Sequence, residues 1–283
     1  MQKQLIGIIQ KALDTEIRGY KPLSGGDINQ VYLLSLPHDR SAVVKLNDAS
    51  RFPGMFKAEA KGLKEIRRTN SFRVPDVLTE GKINQQSYLV LEYISEGGKK
   101  DDFWEEFAFK LQKMHRKSSD QFGLTTDNYI GSLPQSNTRH QKASSFYISE
   151  RIEPQVKMAH DRGFSLRLNE SFYVRLEKLI PDEKPSLVHG DLWGGNHMTD
   201  ETGSPCLIDP AVSYAPREMD LAMMQLFGGF SSQVYQHYEA LFPPEGNWRE
   251  RTDIWQLYYL LVHLNLFGAS YLGSVNSIIA KYS

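Results

Sequence analysis

The stretch Leu187-Val188-His189-Gly190-Asp191-Leu192-Trp193-Gly194-Gly195-Asn196 is an apolar run that delivers an aspartate and then, with four residues between, an asparagine. Its glycines let the backbone fold tightly between the two side chains. An ordinary turn in which Asp and Asn cap a helix would use the same residue types, so the flanking sequence has to decide. The next segment, from His197 to Asp209, reads as two short strands around a polar turn. If that hairpin is symmetric about Thr202 and Gly203, position 198 pairs with 207, 197 with 208 and 196 with 209, so Asn196 faces Asp209. Directly opposed β-carbons lie about 4.5 to 5.5 Å apart, close enough for an amide oxygen and a carboxylate to share one hard cation such as magnesium.

The catalytic loop of protein kinases has the same Asp-to-Asn spacing: there the Asp takes the proton from the attacking hydroxyl and the Asn holds magnesium. Asp209 then stands where those enzymes keep their second metal-binding aspartate. Pro210 and Ala211 follow it, where a protein kinase has Phe and Gly, which argues for a small-molecule kinase.

Working back towards the N-terminus, the run Ala42-Val43-Val44-Lys45-Leu46 alternates with period two. Ala42, Val44 and Leu46 share one face, and Lys45 lies with Val43 on the other. On the helical pattern from Phe56 to Arg68, Glu59 falls in line with Phe56, Leu63 and Ile66 on the apolar stripe. A carboxylate there needs a cation, and Lys45 is the natural candidate; the alternatives are a solvent-facing lysine and a glutamate that curls outward. Ser24-Gly25-Gly26-Asp27-Ile28-Asn29, between a helical segment and a strand, is either a plain hairpin turn or a loop closing over phosphates, and its position before Lys45 favours the second. The apolar strand from Tyr88 ends at Glu92, and Glu92 and Ile94 sit where kinases read adenine with backbone groups.

These patterns predict an α+β, bilobal, protein-kinase-like fold. Residues 1–94 would form a small antiparallel sheet with one helix that binds nucleotide, and residues 95–283 a larger, mainly helical lobe for catalysis and substrate. The polar segment Asn128 to Lys142 reads as a long loop, a feature that is often functional in a compact lobe. His189 is expected to support the catalytic loop through hydrogen bonds, and Cys206 to be a small core residue. Asp220 is read as a structural acid in the first turn of a helix. The N-terminus forms an amphipathic helix, interrupted by Gln and Lys before a signal-peptide core can form. The apolar stretch Ile254 to Phe267 is too short for a membrane span and carries Gln256, His263 and Asn265, so it is a core helix.

Composition narrows the partners. With 283 residues, 40% hydrophobic, 24% charged and a net charge of −1, the chain has an ordinary soluble make-up and no basic field for nucleic acid. A single cysteine excludes an intramolecular disulfide framework and fits the cytoplasm. The eight histidines show no metal-ligand spacing. No membrane partner is expected, and a monomer is favoured over an oligomer.

Taken together, HGDLWGGN at 189–196, IDPA at 208–211, REMDLAMMQLFGGF at 217–230 and SGGDIN at 24–29 resemble the fructosamine kinase (ketosamine 3-kinase) family, related in fold to aminoglycoside and choline kinases. Phe122-Gly123, Ile130-Gly131, His263, Asn265 and Phe267-Gly268 extend the resemblance along essentially the whole chain. It implies an enzyme that transfers the γ-phosphate of ATP to the sugar 3-hydroxyl of a ketosamine, free or protein-bound, so that the adduct is destabilised and falls off. It makes Asp191 the catalytic base, Asn196 and Asp209 the magnesium ligands, and Lys45 with Glu59 the pair that aligns the phosphates. Gly25, Gly26, Asp27, Ile28 and Asn29 complete the nucleotide site. Trp193 either walls the sugar pocket or packs in the core. Many eukaryotic relatives have a cysteine in the glycine-rich loop where this chain has Asp27, so a loop-to-loop disulfide is unavailable here. A kinase for another hydroxylated amine, such as an aminoglycoside or choline, is the alternative; an idle nucleotide-binding regulator would be expected to lack part of this set.

Overall fold

The computed structural model describes residues 3–23 and 28–283. In chain order, the first part runs α1 (Lys3–Leu13), β1 (Gly19–Leu23), β2 (Gln30–Ser35), β3 (Ser41–Asp48), α2 (Met55–Arg68), β4 (Val77–Ile83) and β5 (Gln86–Glu92). Its five strands form one antiparallel sheet in the order β1-β2-β3-β5-β4. The alternation read along β3 decides how the sheet is covered. Ala42, Val44 and Leu46 pack with Leu5 and Ile9 of α1 on one face. The opposite face, with Val43, packs against Phe56, Ala60, Leu63 and Ile66 of α2. Lys45 therefore emerges on the α2 side.

The chain then becomes mainly helical, through α3 (Phe103–His115), β6 (Asn128–Ile130), β7 (Leu133–Gln135), α4 (Ala143–Tyr147), α5 (Glu153–Asp161) and α6 (Glu170–Leu179). Next come β8 (Ser186–Val188), β9 (His197–Thr199), β10 (Pro205–Leu207) and β11 (Ser213–Ala215), followed by α7 (Glu218–Leu226), α8 (Ser232–Leu241), α9 (Thr252–Phe267) and α10 (Leu272–Tyr282). Trp255, Tyr258 and Tyr259 of α9 are buried at the centre of this part, as expected of a helix apolar on nearly every side. Phe103, Phe107 and Leu111 of α3 share one core with α2, so packing is continuous between the sheet and the helical part. The fold is α+β and protein-kinase-like. Among the described residues, no helix is long and apolar enough to cross a membrane.

Three sequence expectations need correction. The segment from Asn128 to Lys142 is not an unbroken loop: β6 and β7 pair as a hairpin, turned at Gly131 with φ of 56°. The chain entering the glycine-rich segment is strand β1 rather than a helix; Ser24, Gly25, Gly26 and Asp27 themselves lie outside the described residues.

The third correction concerns the hairpin after the catalytic loop. Strands β9 and β10 pair 199 with 205, 198 with 206 and 197 with 207, one residue away from the symmetric register. The turn is responsible. Asp200 Oδ1 accepts the Thr202 amide at 2.9 Å, the Thr202 hydroxyl at 2.7 Å and the Ser204 amide at 3.0 Å, and Gly203 takes a φ of 86°. This five-residue loop is centred on Thr202, and a one-residue slip changes every facing pair. Asn196 consequently lies opposite Ile208, whose N–H donates to its carbonyl at 3.0 Å. Asp209 leaves the strand in a left-handed conformation, φ 54°.

Candidate active site

The cleft between the sheet and the helical part holds a cavity of about 710 Å³ whose walls include Ile28, Asn29, Lys45, Glu59, Asp191, Trp193, Asn196 and Asp209. Lys45 Nζ donates to Glu59 Oε1 at 2.7 Å and also to Asp209 Oδ1. Both Lys45 and Glu59 are nearly buried, whereas the Asp209 side chain is 46% exposed into the cleft. Burial acts to lower the Lys45 pKa, but the Asp209 and Glu59 carboxylates outweigh it and hold the ammonium charged. Glu59 is pushed above its ordinary value by the same burial, against the pull of Lys45. The strand lysine and the helix glutamate thus meet as their faces predicted, and the left-handed turn at 209 adds a second carboxylate to the ammonium.

Asp191 and Asn196 form the second half. The Asn196 side-chain amide donates to the Asp191 carbonyl at 2.8 Å and to Oδ2 at 3.0 Å. Burial pushes the Asp191 carboxyl up to about 7; the Asn196 bond works against this, while the Asp209 and Asp220 charges add to it. With its N–H groups so used, Asn196 has its amide oxygen as the remaining acceptor. An amide oxygen and the half-exposed Asp209 carboxylate are the hard donors that magnesium takes.

The loop that carries Asp191 is held by Asp220, whose anchoring contacts the sequence did not reveal, and by His189, which supports it through hydrogen bonds as the sequence predicted. Asp220, fully buried on α7, accepts the backbone N–H groups of His189 at 2.7 Å and Gly190 at 2.9 Å, and also faces His115 Nε2 at 3.1 Å. Its acidic first-turn position looked like a helix-start preference, and only tertiary contact separates that from loop anchoring. His189 donates from Nε2 to the Ile208 carbonyl at 2.9 Å, with Nδ1 facing the Asp191 N–H at 3.3 Å. Burial lowers its pKa, so it supports the loop as a neutral ring. Gly190 has a φ of 84°, and a β-carbon there would collide with the Ala211 carbonyl oxygen.

Trp193 is 42% exposed and lines the cavity, so it is not a core residue. The same cavity is lined by Phe227, His263, Phe267 and Tyr271; the first three belong to the segments that carry the family resemblance, which gives them no role, and Tyr271 lies outside those segments. The His263 ring lies 4.6 Å from Phe227 and 5.2 Å from Tyr271, centroid to centroid, and Phe267 is 56% exposed. Cys206 is buried and its thiol is pushed up to about 12 by that burial. Glu92 and Ile94 lie off this cavity wall. The Glu92 side chain accepts from Arg73 Nη2 at 2.7 Å and from the Asp76 amide at 3.1 Å, and its own N–H donates to the Asp76 carbonyl at 2.8 Å.

Comparison with known proteins agrees with this geometry. The family model described as fructosamine kinase matches residues 1–283. A protein of Enterococcus faecium named "Probable ketoamine kinase" is 39% identical over 267 residues, covering 92% of this chain and 94% of that one. The chloroplastic protein-ribulosamine 3-kinase of Arabidopsis thaliana is 32% identical, covering 97% of this chain and 86% of its own length. Among solved structures, a "putative fructosamine-3-kinase" from Haemophilus somnus superposes with a TM-score of 0.87 at 28% identity, covering 98% of this chain and 96% of that one. A loop bearing Asp191 anchored on Asp220, a Lys45–Glu59–Asp209 cluster lining the same cavity and a family match along the whole chain lead to one assignment: this protein belongs to the fructosamine kinase family, ATP-dependent phosphotransferases acting on a hydroxyl.

Proposed function

We propose that the enzyme phosphorylates the sugar 3-hydroxyl of ketosamines, free or protein-bound, with ATP and magnesium, and so serves the removal of sugar adducts from amines. The observation that carries the reading is the make-up of the cleft: Asp191 lines one cavity together with the Lys45–Glu59–Asp209 cluster and with the exposed aromatic side chains Trp193 and Phe267. Residues 1–94 act as the nucleotide lobe and residues 95–283 as the catalytic and acceptor lobe. The single, buried thiol is compatible with work in the cytoplasm.

Asp191 takes the proton from the acceptor hydroxyl as the oxygen attacks the γ-phosphorus, and the phosphorus–oxygen bond to ADP breaks. A base whose carboxyl lies near 7 is matched to that task at neutral pH. Lys45, oriented by Glu59, holds the phosphates in line, while the glycine-rich segment from Gly25 through Gly26, Asp27 and Ile28 to Asn29 closes over them. Asn196 and Asp209 would hold magnesium, which supplies positive charge to the phosphate oxygens. The Glu92 carbonyl and the Ile94 amide remain the expected adenine contacts at the end of β5, although neither residue lines the cavity itself. At the other end, Trp193, Phe227 and Phe267 form an apolar, π-rich surface suited to the amine-bearing part of the acceptor, which carries positive charge. A positioned base can act only on a hydroxyl held in line, so this surface governs which sugar–amine conjugate is accepted.

The test is ATP consumption, at one saturating ATP concentration, with a ribulosamine of lysine, a fructosamine of lysine, kanamycin and choline. The two ketosamines are expected to have the highest kcat/KM, with the ribulosamine first. Kanamycin or choline at the top would refute the ketosamine acceptor.

A further inference from the structure

We propose that the β6–β7 hairpin is a positioning element for the phosphate end of the site, its root holding the segment that carries Asp209 and its outer edge holding the helix that carries Glu59. The inference rests on the phosphate-handling role of Lys45, Glu59 and Asp209.

The root is a buried pair of amides. Asn128 and Gln135 face each other across the two strands, and both are almost inaccessible. Gln135 Nε2 donates to Asn128 Oδ1 at 2.7 Å, while Tyr258 of α9 fixes the other side of that amide by donating to Gln135 Oε1 at 2.5 Å. What remains of the pair is aimed at the chain after Asp209. Asn128 Nδ2 donates to the Val212 carbonyl at 2.9 Å and Gln135 Nε2 to the Ala211 carbonyl at 3.3 Å. Amides locked in this way recognise a backbone in one placement only, because a shifted segment would leave buried donors without partners.

The same segment touches α2 on its other side. A β-carbon at Gly62 would lie 3.3 Å from Pro210 Cγ and 3.4 Å from Val212 Cγ2, so residues 210–212 are wedged between the hairpin root and α2 one turn from Glu59. The hairpin also reaches α2 directly. The Tyr129 hydroxyl donates to the Pro53 carbonyl, just before the helix, at 3.0 Å. Lys61 Nζ on α2 donates to the hydroxyls of Thr125 at 2.8 Å and Thr126 at 3.1 Å, on the chain leading into β6. At the tip, a β-carbon on Gly131 would meet Leu266 of α9 at 3.0 Å and Ile28 at 3.7 Å. One hairpin thus links α2, the Asp209 segment, α9 and the exit of the glycine-rich segment. Glu59 on α2 and Asp209 on the segment after β10 both meet Lys45 Nζ, and the hairpin, bonded to both elements, fixes their relative placement.

Lys61 is not among the residues lining the cavity, whereas Tyr129 and Asn128 are, so the single Lys61 variant carries the test and the other two support it. Lys61→Ala, alone and with Tyr129→Phe, should raise the KM for ATP and the magnesium concentration giving half activity by roughly three- to thirtyfold. The acceptor KM should stay within about twofold and the thermal midpoint within about 2 °C, as for other exposed substitutions. Amide hydrogen exchange across residues 55–68 should quicken, and Lys61→Arg should restore both readouts. Asn128→Asp, which turns a carboxylate on the Val212 carbonyl, should show the same ATP-specific defect more strongly if it folds. Unchanged ATP and magnesium dependence together with unchanged exchange in α2 would overturn the proposal. So would an equal rise in both Michaelis constants accompanied by a lower thermal midpoint, which is general loosening. Should no ketosamine be turned over by the unaltered enzyme, exchange in α2 and calorimetric binding of magnesium–ATP still decide the hairpin's role.

Discussion

Asn196 donates its side-chain amide to Asp191 at two points, the carbonyl at 2.8 Å and the carboxylate at 3.0 Å, so the candidate metal ligand also orients the candidate base. Asp191→Asn should lower kcat by about 10²- to 10⁴-fold, the usual contribution of a positioned base, with ATP affinity retained. Steady-state kinetics with calorimetric ATP binding checks this, and unchanged turnover would remove Asp191 from the mechanism.

The same substitution has a pH signature in stability. Folding raises the Asp191 carboxyl from 3.8 to about 7, so the unfolded chain ionises first and the native state loses stability as pH rises through that interval. Asp191→Asn carries no such cost. Its thermal midpoint should exceed that of the unaltered protein by a few degrees at pH 8 and match it near pH 4. A constant difference across that range would contradict the assignment.

Lys45 and Glu59 meet at 2.7 Å in a nearly buried setting, so their variants should not be additive. Lys45→Met and Glu59→Gln should each weaken ATP use, and the double variant should fall short of the sum by about 0.5–3 kcal/mol. A double-mutant cycle in kcat/KM for ATP measures it. Additive losses would mean the pair does not act together.

Asp220 accepts the backbone N–H groups of His189 and Gly190, just before Asp191, and is not among the residues lining the cleft. Asp220→Asn leaves one of those donors opposed by an amide, at a cost of about 1–3 kcal/mol. Reduced kcat and stability are expected, with little change in KM for either substrate. A selective loss of acceptor binding would instead place Asp220 in the pocket.

Phe267 is exposed at the aromatic wall, so Phe267→Ala should leave stability unchanged. Removing one exposed cation–π partner should raise the ketosamine KM by about two- to fivefold, with ATP KM unaffected. Separate titrations of the two substrates distinguish this from a general defect.

How much of this was written in the chain depends on the range of the interactions involved. Period-two alternation assigned Lys45 to one face of β3 and the helical stripe assigned Glu59 to one face of α2. Because each face had a single apolar surface to cover, the two residues were natural partners, and the structure joins them rather than leaving the lysine in solvent or the glutamate turned outward. The order Asp191, Asn196, Asp209 was likewise readable, since it is a matter of spacing along a loop and a hairpin. The register of that hairpin was not. Donors from Thr202 and Ser204 gather on Asp200 Oδ1 around the left-handed Gly203, and this turn shifts the pairing by one residue and points Asp209 towards Lys45.

Sequence by itself determined the residue types of the Lys45–Glu59–Asp209 cluster, the antiparallel sheet, the core helix α9 and the family. Local periodicity and the spacing of a few polar residues are properties of the chain alone. Only the tertiary structure decided that Asp220 carries the loop bearing Asp191, that Asn128 and Gln135 hold the segment after Asp209, and that Trp193, Phe227 and Phe267 line one cavity. Those contacts join positions 30 to more than 80 residues apart, and no local pattern in a single sequence records which buried donor a distant carbonyl will meet. They exist because packing brings the polar groups together and burial then requires each of them to find a partner.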